Sequence, residues 1–268
     1  MSTEKTINKE KKSNKIGVSL SGGSALGYAH LGMLQAMEEA GIKADCIVGT
    51  SMGAIIGMIY AAGYKPQEIK EIIKKEKMDS LIHLVFPNTP KLGGLVGSSR
   101  IQKILKKYVP SNKFEDLKTK FYCCVSNMDT LLPEYHGSGD QLVQYVMASA
   151  SMPGVFAPMK LDGHYYVDGG IHDHLPVKPL LDEGCDTRIA SFLQVVKPGK
   201  KKVSMIWLHA FLYCSYITYQ QTIDHFTDVL TIDPGKYWLQ DFKELDAIYN
   251  IGYKVGKKYF SEHHLNQK

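Results

Sequence analysis

Cys46-Ile47-Val48-Gly49-Thr50-Ser51-Met52-Gly53-Ala54-Ile55 is the stretch that decides the fold. Residues 44–48 are mostly apolar, as a central parallel strand should be. Residues 54–62, Ala-Ile-Ile-Gly-Met-Ile-Tyr-Ala-Ala, form a small-residue-rich apolar run long enough for a packed helix. Between them lies G-x-S-x-G. In a strand–turn–helix setting this string reads as a nucleophile elbow, a strained turn holding Ser51 Oγ clear of its own backbone at the start of the following helix. Gly49 and Gly53 lack the Cβ atoms that would clash where strand and helix approach so closely. Glycine and serine are common residues, so it is the setting rather than the string that carries the reading.

Toward the N-terminus, residues 15–20 (Lys-Ile-Gly-Val-Ser-Leu) read as a first strand. Ser21-Gly22-Gly23-Ser24-Ala25-Leu26-Gly27 is then a turn, and residues 28–40 a helix with Leu31, Leu34 and Met37 on one face and Gly41 as its stop. A glycine-rich strand-to-helix turn exposes backbone N–H groups where the helix dipole favours negative charge. One use of it is a phosphate cradle, but a P-loop would end in Lys-Ser/Thr, and Ser24 stands where the second glycine of G-x-G-x-x-G belongs. The other use is an oxyanion hole for an acyl-transfer nucleophile, which fits a serine elbow one βα unit later.

Toward the C-terminus, Tyr165-Tyr166-Val167-Asp168-Gly169-Gly170 ends a short strand in Asp-Gly-Gly. An aspartate there, with glycines permitting close backbone approach, is placed to accept the Ser51 proton directly. Glycine-rich turn, G-x-S-x-G and D-G-G, in that order, resemble the patatin-like phospholipase family. The resemblance runs from about residue 16 to about residue 256. It includes Ala148-Ser149-Ala150-Ser151-Met152-Pro153-Gly154-Val155-Phe156-Ala157-Pro158, similar to the family's A-S-x-x-x-P-x-x-F-x-P, and late segments at residues 228–234 and 251–253. It implies an α/β fold of three layers, α/β/α, with a mainly parallel central sheet. It implies a Ser51–Asp168 catalytic dyad, the Gly49 and Gly53 elbow, the Gly169–Gly170 turn, and an oxyanion hole from the amides of Gly22, Gly23 and Ser24. The implied activity is hydrolysis of acyl esters of phospholipids or lysophospholipids through an acyl-enzyme, with no cofactor and no metal. H-E-x-x-H, EF-hand and paired C-x-x-C patterns are all missing from the sequence, so calcium dependence is not expected.

The chain departs from the family pattern in two places. The turn usually reads G-G-G-x-R-G, whereas here Ser24 replaces a glycine and Leu26 an arginine; both bear on oxyanion stabilisation. The family's Asn-Asn before the proline is Asp173-His174 here. A catalytically weak lipid-binding or scaffold protein keeping the fold is therefore one alternative, and a soluble carboxylesterase another. An α/β-hydrolase triad is a third, with His209, His225, His263 or His264 as the late base. His164, His172 and His174 lie near Asp168 in sequence and are candidates to line the site, each expected in a surface or supporting role rather than as general base; His30, one turn into the first helix, is open to the same two readings.

Composition fits this reading: 268 residues, 44% hydrophobic and 22% charged, suffice for one large α/β domain. That domain is expected over residues 16–260, with core motifs in 16–185 and completion in 186–260, between a basic disordered tail, 1–15, and a tail at 261–268. Pro66 opens another helix with Ile69, Ile72 and Ile73 on one side. Residues 101–108 read as helix and 121–125 as strand. The Pro- and Gly-rich residues 87–99 read as a loop, a surface loop by default and a lid over the site as the functional variant. Of the five scattered cysteines, Cys46, Cys123 and Cys124 fall in apolar strand-like stretches and read as buried thiols, and the set implies a reducing, cytoplasmic setting, with no signal peptide ahead of the domain. Residues 203–223 lack Asp, Glu, Lys and Arg and carry five aromatic residues, just after Lys197 and Lys200-Lys201-Lys202. A packed helix is the first reading. Peripheral docking of its aromatic edge and the lysines on anionic lipid is the second. The formal charge of +5, without a nucleic-acid-binding motif, gives no reason to expect a nucleic-acid partner.

Overall fold

β1 (Ile16–Leu20) and β2 (Cys46–Thr50) are buried at every position, the pattern of strands covered on both faces. The computed structural model describes residues 14–78, 93–195 and 206–263. It sets these two strands side by side and parallel near the middle of an eight-stranded sheet. β7 (Thr187–Leu193) pairs in parallel with the other edge of β1, and β8 (Asp228–Ile232) extends the sheet beyond it. β3 (Lys120–Asn127) pairs in parallel with β2. Alternate residues of these strands feed two separate cores, as strand geometry requires. Val18, Leu20, Ile47 and Ile189 join the larger core, while Cys46, Val48, Ala190 and Phe192 join the smaller one with Leu175, Leu180 and Phe226. The result is a central, mostly parallel sheet flanked by helices, as the motif order implies.

The helices are α1 (Tyr28–Glu39), α2 (Met52–Ala61), α3 (Pro66–Lys75), α4 (Gly93–Tyr108), α5 (Leu142–Ser149), α6 (Lys178–Asp182), α7 (Ile206–Thr222) and α8 (Leu245–Glu262). α3 begins with Pro66 at its first position and the Lys65 N–H donating to Glu68 Oε2 at 2.7 Å, and it buries Ile69, Ile72 and Ile73. α1 buries Leu31, Leu34 and Met37 and stops at Gly41, whose φ is 74°. Against α1 lies the C-terminal helix α8, backbone to backbone: a Cβ on Gly252 would stand 1.8 Å from the Ala29 carbonyl oxygen.

The decisive arrangement is at β3. Val125, Ser126 and Asn127 each pair with both β4 (Leu132–His136) and β6 (His164–Asp168), so those two strands occupy opposite edges of β3. β2 runs beside residues 120–124, and its overlap with β4 at Cys123 and Cys124 puts it on the same edge as β6. That edge therefore holds β2 up to Thr50 opposite Cys124, and then β6, arriving antiparallel and ending at Asp168 opposite Val125. The C-terminal ends of β2 and β6 meet there. β5 (Met159–Leu161) forms a hairpin with β6.

Several expectations need correction or fall elsewhere. Residues 93–99 are the first turns of α4 rather than a loop, because Leu95 to Tyr108 can run as one amphipathic segment with Ile101 and Leu105 buried. The remainder of that expected loop, residues 87–92, lies outside the described residues. So do residues 1–13 of the expected N-terminal tail, the lysines at 197 and 200–202, and residues 264–268. α8 continues through Glu262, two residues past the expected domain end. The expected helix at 203–223 is α7, and residues 203–205 lie outside the described residues. No helix among the described residues is long and apolar enough to cross a membrane.

Candidate active site

Ser51 sits between β2 and α2 with φ 55° and ψ −123°, a conformation rarely held by a residue with a side chain. The surroundings hold it there. Its N–H donates to Ser149 Oγ at 2.9 Å, and its carbonyl accepts from Ala54 and Ile55 at 3.0 and 3.2 Å as α2 begins. The flanking glycines are dictated by packing: a Cβ on Gly53 would stand 2.3 Å from the Leu20 carbonyl oxygen, and one on Gly49 would stand 2.5 Å from the Gly53 carbonyl. Ser149 is a member of the quoted 148–158 segment, but nothing in the sequence distinguishes it as the acceptor for the Ser51 amide.

Asp168 ends β6 fully buried. Its Oδ1 accepts the Gly170 N–H at 2.8 Å, and the Ser51 hydroxyl lies close enough to the same carboxylate to favour its charged form. Burial pushes its pKa from 3.8 up to about 7, while the Gly170 N–H and the Ser51 hydroxyl pull in the other direction. Gly169 lets the turn rest on β3, since a Cβ there would stand 2.3 Å from the Cys124 carbonyl oxygen. The meeting of β2 and β6 along β3 has thus brought Ser51 and Asp168 together at one pocket.

The glycine-rich turn lies across the same space, and one expectation about it changes. The Gly22 N–H is already committed to the His174 carbonyl at 3.3 Å, so it is not available to a ligand. The amides of Gly23 and Ser24 have no acceptor among the described residues. Gly23 adopts φ 156° and ψ 12°, and a Cβ on it would stand 2.5 Å from Leu193 Cδ1. Ser24 holds a left-handed φ of 51°, a position glycine occupies without strain. Leu26, where the family carries arginine, is completely buried in the core.

These groups line one end of a pocket of about 60 Å³ whose remaining wall is apolar, with Ile55, Ile101, Met147, Phe211, Leu212 and Phe242 among its residues. α4, α5 and α7 supply much of this wall, which the sequence did not mark: its residues look like any other core positions. His174 also lines the pocket. His30 does not. Its Nε2–H donates to the Ser21 carbonyl at 2.9 Å, its Nδ1 accepts from the Ser191 hydroxyl at 2.8 Å, and burial lowers its pKa to about 4. His164 is exposed beside Asp129, and His225 and His263 are exposed as well. No histidine side chain among the described residues hydrogen-bonds Ser51; the His209 side chain and His264 lie outside them. No group of three or more His, Cys, Asp or Glu that could hold a metal occurs among the described residues.

Comparison with known proteins agrees with this geometry. A model of the patatin-like phospholipase family matches residues 18–181. "Lysophospholipase nte1" of Aspergillus fumigatus is 30% identical over 279 residues, covering 92% of this chain and 18% of that protein. "Lysophospholipase NTE1" of Saccharomyces cerevisiae is 33% identical over 177 residues, covering 65% of this chain and 10% of that one. The chain thus spans less than a fifth of the length of these relatives. Among solved structures, VipD from Legionella pneumophila superposes with a TM-score of 0.58 at 16% identity, covering 93% of this chain and 67% of that one, a likeness of fold. With the family match spanning the glycine-rich turn, the serine elbow and the Asp-Gly-Gly turn that meet at one pocket, this chain belongs to the patatin-like phospholipase family.

Proposed function

We propose that the chain is a serine hydrolase of lipid acyl esters, acting on phospholipids or lysophospholipids through an acyl-enzyme on Ser51. The observation that carries this reading is the approach of the Ser51 hydroxyl to the buried Asp168 carboxylate at the polar end of an apolar pocket. An ionised Asp168 takes the Ser51 proton as Oγ bonds to the ester carbonyl carbon. The carbonyl electron pair moves onto oxygen, which faces the amides of Gly23 and Ser24 and the N-terminus of α2. Collapse of the tetrahedral intermediate breaks the bond to the alkoxy oxygen, which leaves with the proton from Asp168. Water then repeats the sequence: Asp168 takes its proton, the acid is released and Ser51 regains its hydrogen. With Gly22 engaged elsewhere, the hole rests on two loop amides, and loss of either is expected to cost about a hundredfold or more in rate.

The pocket wall supports a long apolar acyl group over a short-chain soluble ester. α7 supports contact with a bilayer: Phe211 and Leu212 face the pocket, while Tyr213, Tyr216 and Ile217 are exposed on the same helix. Lipid meeting that face would be next to the pocket wall, an arrangement suited to peripheral binding at an anionic surface. The five free cysteines, four of them buried, fit a cytoplasmic setting. The decisive experiment is labelling with a fluorophosphonate, read by intact mass and peptide mapping, in wild type and Ser51→Ala. A stoichiometric adduct on Ser51 is expected. Folded wild-type protein that takes no adduct and releases no fatty acid from lipid esters would refute the hydrolase reading and favour a scaffold keeping the fold.

A further inference from the structure

His174 is buried in the pocket wall beside Gly22 and Ser51, and neither of its ring nitrogens has a hydrogen-bond partner among the described residues. Native interiors rarely leave such atoms unpaired. The ring is nonetheless well held. Its backbone N–H donates to Thr218 Oγ1 at 3.4 Å, its carbonyl accepts from Gly22, and it stands edge-on to Phe192 with centroids 6.2 Å apart. Gly22 leaves the space in front of it open. A Cβ there would stand 3.0 Å from His174 Cε1, 3.1 Å from Nδ1 and 3.4 Å from Ser51 Cβ. Burial, with His30 adding to it, lowers the His174 pKa to about 4, so at neutral pH the ring offers one N–H donor and one bare acceptor.

The hydrolytic scheme uses neither nitrogen. An acyl chain has no polar atom to offer them, and the developing oxyanion is met by Gly23 and Ser24. What remains close to the reacting ester is the adjoining carbon of the alcohol portion. In a monoacyl lipid that carbon carries a free hydroxyl, which both donates and accepts. In a diacyl lipid it carries a second ester, which only accepts and cannot donate to the bare ring nitrogen.

We propose that His174 is a specificity-determining residue whose imidazole hydrogen-bonds the free hydroxyl on the carbon next to the scissile ester, selecting monoacyl lipids such as lysophospholipids over diacyl ones. This rests on the hydrolase reading above. The test compares the full chain on 1-acyl-glycerophosphocholine and on its 2-deoxy counterpart, below the aggregation concentration of both, with fatty-acid release as the readout. Wild type is expected to lose about tenfold or more in kcat/KM without the hydroxyl, because a buried site built for a hydroxyl rejects the analogue lacking it. His174→Leu is expected to bring the ratio between the two substrates to within about twofold of one. His174→Asn, which keeps a donor and an acceptor, should retain part of the preference. Equal wild-type rates on the two substrates would overturn the assignment, whether or not any variant folds. So would a His174→Leu protein that slows equally on both, which would mean the ring serves packing or the oxyanion. Fluorophosphonate labelling separates the two levels: a labelled Ser51 with equal rates sinks only the hydroxyl assignment, whereas unlabelled, inactive protein sinks the hydrolase reading and this assignment with it.

Discussion

Replacing Asp168 by asparagine is expected to stabilise the fold while removing activity, and by an amount that depends on pH. The native protein holds the Asp168 proton to about pH 7, whereas the unfolded chain releases it near 3.8. Between those values the native state binds more protons than the unfolded one, so each rise in pH takes stability away. Fully ionised above neutrality, the buried carboxyl withholds on the order of 4 kcal/mol; at pH 5, where only the unfolded chain is ionised, the loss is about 1–2 kcal/mol. Asparagine does not titrate, and its Oδ1 can keep the Gly170 N–H bond. Its own pH-independent cost drops out of the comparison between two pH values. The gap between Asp168→Asn and wild type should therefore widen by about 2–3 kcal/mol from pH 5 to pH 8. That corresponds to on the order of 8 °C in Tm for a domain of this size. Urea denaturation at pH 5, 6, 7 and 8, with linear extrapolation, measures it. A gap that stays flat across this range would show that burial does not raise the Asp168 pKa, and the base proposed for Ser51 would lose its physical grounding.

Because only ionised Asp168 accepts the Ser51 proton, kcat/KM is expected to rise with pH through about 7 on a soluble ester; an acid limb near 4 would contradict the burial argument. Ser24→Gly should stabilise the protein by about 1 kcal/mol by relieving the φ of 51°, less the added entropy of glycine in the unfolded chain. Thermal melts of that variant showing a clear loss of stability would mean the serine side chain has a role the strain conceals. Ile217→Glu places a charge on the exposed face of α7 and is expected to weaken binding to anionic vesicles about tenfold, as measured by co-sedimentation. Unchanged binding would move the membrane contact elsewhere.

Much of the site was legible because its residues are forced by close approach. Gly49 and Gly53 stand where a strand end and a helix start leave no room for Cβ, and Asp168-Gly169-Gly170 turns against the β3 backbone. Such constraints leave glycine in the sequence at fixed spacing. Pairing partners leave no such trace. β4 carries no strand signal because Pro133 sits inside its five residues, and proline is admissible there only because β4 is an edge strand, with Pro133 opposite Ser126. The engagement of Gly22 by the His174 carbonyl depends on a contact between residues far apart in the chain. The glycines in the first turns of α4 resemble a loop in the sequence, although the helix continues unbroken into the apolar positions Ile101 and Leu105.

The shared edge of β3 works as a ruler. The distance between Ser51 and Asp168 is set by counting rungs, with Thr50 on Cys124 and Asp168 on the next residue, Val125. A strand advances about 3.3 Å per residue and alternates its faces, so a slip of one rung would carry Asp168 out of reach of Ser51 and turn it to the other side. The long chain between the two residues is otherwise free of that constraint. Length changes in its loops leave the pair together as long as both rungs hold, whereas a change that shifts β2 or β6 by one residue along β3 separates them even though neither residue is touched.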